Sequence, residues 1–164
     1  AIDFDLTIID IHTGGNWQGL AEELAPQVRP EFRCFLQSCC LPDEKIMFVI
    51  ATFSSQPSLL QEVMQLSLGV SANQPFHVEV FDRTLEPEMA SKQNQLNSAM
   101  EYYFHQQMAG ENGKNAPECL TPRQVLLIDD DANNIGIAHQ NGFRTVLFDP
   151  EEPEDLLRQL QELS

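Results

Sequence analysis

Short apolar runs alternate along this chain with longer stretches of helical apolar spacing, and that alternation restricts the fold more than any other feature of the sequence. Runs rich in β-branched and aromatic residues at 1–4, 46–51, 76–81, 125–128 and 145–148 predict strands. Between them, apolar residues recur at helical intervals over 19–25, 31–40, 58–68, 91–108, 133–141 and 154–163. Strands separated by helices return in parallel through crossovers. The expected fold is therefore α/β, a doubly wound, mostly parallel sheet with helices on both faces. End signals agree with these limits. Pro30 suits a first helical turn, Pro57 and Ser58 open a helix directly after a strand, Ser91 is placed to cap the next, and Gly142 follows Asn141 as a stop. The stretch 109–122, with Gly110, Gly113, Pro117 and Pro122, reads as a surface loop.

A chain of 164 residues supports one sizeable core, so a single domain spanning 1–164 is expected. Its formal charge of −16 repels a nucleic-acid backbone and an anionic leaflet alike, which removes both from the expected partners. No apolar run approaches the roughly 20 residues that a spanning helix needs. Cys34, Cys39, Cys40 and Cys119 have neither disulfide-framework nor zinc spacing. They are expected to be reduced, buried, small apolar side chains of a cytoplasmic protein.

Polar residues of one chemistry gather where the predicted strands end. Asp3 and Asp5 close the first, Thr52 the second, and Asp129, Asp130 and Asp131 the fourth, while Lys92 opens the helix after the third. Ligand crevices of open α/β sheets lie at the carboxyl ends of the strands, so these residues should converge. Carboxylates crowded together repel unless a hard divalent cation neutralises them, and Mg²⁺ takes carboxylate oxygens together with substrate phosphate and water. A hydroxyl and an ammonium suit the remaining phosphoryl oxygens. A carboxylate two residues from a nucleophilic one is placed to act as its acid and base partner.

These residues also match a known pattern. Asp3-Phe4-Asp5-Leu6-Thr7 resembles the DxDxT signature of haloacid dehalogenase superfamily phosphatases, and Val49-Ile50-Ala51-Thr52 resembles their second motif, an apolar strand ending in Thr or Ser. Lys92 is similar to the third-motif lysine. Val125-Leu126-Leu127-Ile128-Asp129-Asp130-Asp131, with Asn134-Ile135, Ala138 and Gly142 beyond it, is similar to the acidic fourth motif and its trailing helix. The four occur in the family's order over nearly the whole chain, which makes the match far more specific than DxDxT alone. The resemblance implies Asp3 as nucleophile and metal ligand, and Asp5 as general acid and base whose backbone carbonyl also binds Mg²⁺. It implies Thr52 and Lys92 as holders of the phosphoryl group and Asp130 as the further Mg²⁺ ligand, assisted by Asp129 or Asp131, with the register of the three open by one position. Ser54 and Ser55 stand close enough in sequence to take the role of Thr52. The retained Asp5 favours phosphate over carbon–halogen chemistry. The gaps 8–45 and 56–91 leave no room for a cap beyond the core's own elements. A capless member with an open cleft suits a large phosphorylated substrate such as a phosphoprotein, or a small one if another subunit closes over it.

Two other classes compete. The run VLLIDDD also resembles the opening strand of a signalling receiver domain, but only residues 132–164 follow it, too few for the rest of such a domain. A catalytically silent protein of the same fold, serving as a binding or scaffold module, is the stronger alternative, since fold does not imply activity. Each motif residue also has a structural role to weigh. Thr52 suits a strand-end backbone partner, Lys92 a solvated helix start, and one of the three aspartates a helix cap. His12, His77, His105 and His139 have no metal spacing, and Trp17 is expected to pack on the core.

Overall fold

The computed structural model describes residues 1–39, 46–69, 77–80, 92–110 and 119–162. Parallel strand pairing organises it. Strand β1 (Val49–Thr52) lies beside β2 (His77–Val80), with Val49 opposite His77 and Thr52 opposite Val80. Strand β3 (Leu126–Asp129) lies beside β4 (Arg144–Leu147), with Leu126 opposite Arg144 and Asp129 opposite Leu147. Ile2 bridges Ile50 on one side and Ile128 on the other, both in parallel. Its N–H donates to the Val49 carbonyl at 2.9 Å and its carbonyl accepts from the Ala51 N–H at 2.9 Å, while the Asp3 N–H donates to the Ile128 carbonyl at 2.9 Å. The segment carrying Asp3 thus lies between the ends of β1 and β3. Beyond it, Phe4–Ile8 makes one wide turn, closed by the Ile9 N–H on the Phe4 carbonyl at 3.0 Å, with Leu6 in the left-handed region at φ 59.

The helices are α1 (Ala21–Leu24), α2 (Pro30–Cys39), α3 (Pro57–Leu68), α4 (Lys92–Gly110), α5 (Ala132–Gln140) and α6 (Asp155–Glu162). Local chemistry explains their limits. Pro57 occupies the first turn of α3, where its missing N–H costs nothing, and Gly69 ends the helix at φ 63. Asp131 caps α5 by accepting from the Asn133 N–H at 2.8 Å, and Gly142 leaves it at φ 84. In α4 the buried face runs Lys92, Gln95, Leu96, Ala99, a helical spacing that is polar at the start and apolar below.

Several sequence expectations need correction. The strands are four residues long; β1, β2 and β3 begin later than predicted and β4 one residue earlier, and residues 46–48 precede β1, with Ile46 and Met47 exposed. The helix expected at 19–25 shrinks to α1, because Pro26 has no N–H to extend it and the chain tightens into a 3₁₀ turn over Ala25–Gln27. Helix α4 runs on to Gly110, and Pro122–Gln124 forms a 3₁₀ turn, so the expected loop is shorter at both ends. Cys34 and Cys119 are exposed, not buried as expected; Cys34 lies on the outer side of amphipathic α2, whose inner side buries Phe32 and Leu36. Cys40, Phe76, Phe81, Ser91 and residues 111–118 lie outside the described residues.

The main core joins Ile2, Phe4, Ile50 and Ile128 to Phe32, Leu60, Met64 and Phe148, with Phe32 and Phe148 meeting edge to face at 5.2 Å. A second cluster holds Leu96, Leu127, Ala138 and Phe143. Consecutive residues Leu127 and Ile128 enter different clusters, as strand alternation requires. Trp17 packs against the main core as expected. A cavity of about 350 Å³ opens at the amino-terminal ends of β1 and β3, lined by Ile2, Phe48, Tyr103 and Val125 among others. It is apolar and lies away from the aspartates. No helix among the described residues is long and apolar enough to cross a membrane.

Candidate functional site

Three remote segments meet at the carboxyl ends of β1 and β3. Asp3 arrives on the segment paired between them, Asp129 is the last residue of β3, Asp130 follows it, and Lys92 enters from the first turn of α4. Asp3, Asp129 and Lys92 are buried, and Asp130 is half-buried. The Lys92 ammonium donates to Asp3 Oδ1 and to the Ala51 carbonyl, and stands 3.7 Å from Asp129 Oδ2. Asp3, Asp129 and Asp130 each offer a carboxylate oxygen within 4.8 Å of the others.

Neighbours fix this geometry. Thr7 Oγ1 donates to Asp130 Oδ1 at 3.0 Å and accepts from the Asp130 N–H at 3.2 Å, tying the wide turn to the end of β3. Asp129 accepts from the Asp131 N–H at 2.9 Å and from the Asn134 amide at 3.1 Å. Gln95, one turn along α4 from Lys92, donates to the Thr52 carbonyl. Thr52 itself is buried, its hydroxyl accepting the Ser54 N–H at 3.1 Å. Ser54 is also buried and Ser55 exposed.

The Asp5 side chain goes elsewhere. Its carboxylate accepts from the Thr13 N–H at 3.0 Å and the Thr13 hydroxyl at 2.8 Å, and pairs with His12 Nδ1 at 3.0 Å. Of the predicted residues, Asp3, Lys92, Asp129 and Asp130 are brought together, and Thr52 lies at the end of the adjoining strand. The Asp5 carboxylate is held apart by an interaction with His12 that sequence reasoning gave no role. The triple aspartate is resolved physically: Asp131 is the exposed helix cap, while Asp129 and Asp130 face Asp3. The parts played by Thr7, Thr13 and Gln95 depend on contacts between distant segments or on a turn geometry that spacing alone does not encode. Asn134 carried a signal, lying five positions after Asp129 on the first turn of α5.

Burial dominates the electrostatics. Removal from water pushes the Asp3 carboxyl up to about 7, with Lys92 opposing the shift and Asp129 adding to it. Burial likewise raises Asp129, opposed by Lys92, the Asp131 N–H and the Asn134 amide. Three carboxylates beside one ammonium form a set that a second cation would stabilise. Their hard oxygen donors fit Mg²⁺ better than a metal that prefers nitrogen or sulfur.

In comparison with known proteins, no protein-family model, no curated protein and no solved structure matches the chain.

Proposed function

We propose that the chain is a Mg²⁺-dependent phosphatase of the haloacid dehalogenase type, built as one doubly wound, capless α/β core, that hydrolyses a phosphomonoester through an aspartyl-phosphate. The observation that carries this proposal is the meeting of Asp3, Lys92, Asp129 and Asp130 from remote parts of the chain, with the ammonium of Lys92 bonded to the expected nucleophile. The split of Leu127 and Ile128 between two clusters supports a sheet covered on both faces.

Asp3, Asp130 and Asp129, with the Asp5 backbone carbonyl, would hold Mg²⁺, which supplies neutralisation of the crowded carboxylates and of charge on the phosphoryl oxygens. Lys92 and Thr52 hold those oxygens as negative charge spreads over them. A carboxylate oxygen of Asp3 attacks phosphorus as the ester P–O bond breaks, and the leaving oxygen takes a proton from Asp5. Asp5 then removes a proton from water, which attacks the aspartyl-phosphate, releasing inorganic phosphate and restoring Asp3. This requires the Asp5 carboxyl to exchange its Thr13 and His12 partners for the leaving oxygen.

Turnover of an artificial phosphomonoester with Mg²⁺ tests the proposal. Asp3→Asn should abolish it, because an amide is a far poorer nucleophile. Asp5→Asn should slow hydrolysis by roughly 10² to 10⁴-fold and leave a phosphoryl adduct on Asp3, visible by mass spectrometry after treatment with a reactive donor. Wild-type turnover no higher than that of Asp3→Asn would identify a silent binding module instead. An adduct on a serine or histidine would overturn the assignment of roles.

A further inference from the structure

Phe53 stands between two inward-facing neighbours. Thr52 and Ser54 are 2% and 3% exposed, while Phe53 keeps 38% of its surface open. Its ring belongs to the site. The Lys92 ammonium lies 4.9 Å from the ring centroid, and the same ammonium bonds Asp3. A phosphoryl group held between Asp3 and Lys92 is therefore held beside an aromatic ring that is partly open to solvent.

The backbone beneath that ring is fixed from both directions. Gly15, at φ +73, approaches so closely that a Cβ would stand 3.1 Å from the Phe53 carbonyl oxygen. The Ser55 N–H donates to the Gly15 carbonyl at 3.2 Å, and the Ser54 N–H to the Thr52 hydroxyl at 3.1 Å. A ring on so constrained a backbone loses little freedom when a ligand stacks on it. Charge offers little help beyond the phosphoryl group. Asp129 and Asp130 line the site beside Asp3, and the whole chain carries −16, so an anionic leaving group meets repulsion where a neutral ring meets an apolar partner. Aromatic rings attract one another in offset or edge-to-face geometry at centroid separations of about 4.5–7 Å, a distance that an ester's own ring can reach from a bound phosphoryl group.

We propose that Phe53 is a specificity-determining platform, and that the substrates are phosphomonoesters whose leaving group carries an uncharged ring close to the ester oxygen. This deepens the phosphatase function proposed above and rests on it.

Benzylphosphonate and ethylphosphonate share a headgroup, resist hydrolysis and differ in the ring, so calorimetric titration of each into the full chain with Mg²⁺ reads the platform without turnover. Wild-type protein should bind benzylphosphonate about tenfold more tightly than ethylphosphonate. That preference should fall to about twofold or less in Phe53→Ala and persist in Phe53→Tyr. Equal affinity of wild type for the two ligands, or a preference that survives Phe53→Ala, would overturn the platform and leave the phosphoryl site standing. Binding of neither ligand would overturn the phosphoryl site itself, and the platform with it.

Discussion

Asp3 sits where two demands conflict, since a nucleophile must be ionised and burial favours its neutral form. Without a divalent cation, its carboxyl is held up to about 7 against an ordinary 3.8, chiefly by removal from water. A folded-state value above the unfolded one means the folded protein binds the extra proton between them. That contribution to stability is complete below about 3.8 and is lost as pH rises through about 7. Metal-free Asp3→Asn has no such proton to lose. Its urea midpoint should therefore gain on that of the wild type as pH is raised across this window, and parallel curves for the two proteins would refute the burial argument. At this scale the sequence was informative about which residue types converge and less so about their partners. The motif spacing singled out Asp3, Lys92 and Asp130. It did not reveal that the Asp5 carboxylate turns to Thr13 and His12, because that depends on the path of the chain through the wide turn and on Leu6 at φ 59.

Helix α4 links the site to the fold. Lys92 and Gln95 hold the end of β1 from its first turns, and Leu96 and Ala99 continue the same face into the interior. Truncating Leu96, which is fully buried in the second cluster, should cost about 2–5 kcal/mol through lost burial and the cavity left behind. Urea denaturation reads this directly; a loss below about 0.5 kcal/mol, the ordinary range for surface changes, would show that α4 does not pack on β3 through this residue. The helices were legible because caps and apolar spacing are local: Pro57, Asp131 and Gly142 each mark an end seen in the structure. Strand limits were less so. Ile46 and Met47 belong to an apolar run yet stay exposed, since the start of a strand is set by its partner across the sheet as well as by its own propensity.

Over the whole molecule, a charge of −16 on 164 residues sets a repulsion that folding must overcome. Raising salt from about 0.01 M to about 1 M shortens the screening length from about 30 Å to about 3 Å, so the thermal midpoint should climb over that range. A flat or falling midpoint would show that local pairs, such as Arg158 with Asp155 and Glu162, outweigh the net repulsion. Parallel strands and intervening helices were predictable from alternation, and the apolar run at 1–4 was itself read as a strand; in the structure it is reduced to the parallel bridges that Ile2 makes to Ile50 and Ile128. Ile2 is hydrogen-bonded to β1, while Ala1 and Asp3 on either side of it are hydrogen-bonded to Ile128 of β3. Peeling those residues from between β1 and β3 would unzip the sheet and carry away the nucleophile in a single event. Site assembly and sheet assembly are therefore one cooperative unit, in which partial opening leaves an incompetent site and a site in register implies a closed sheet.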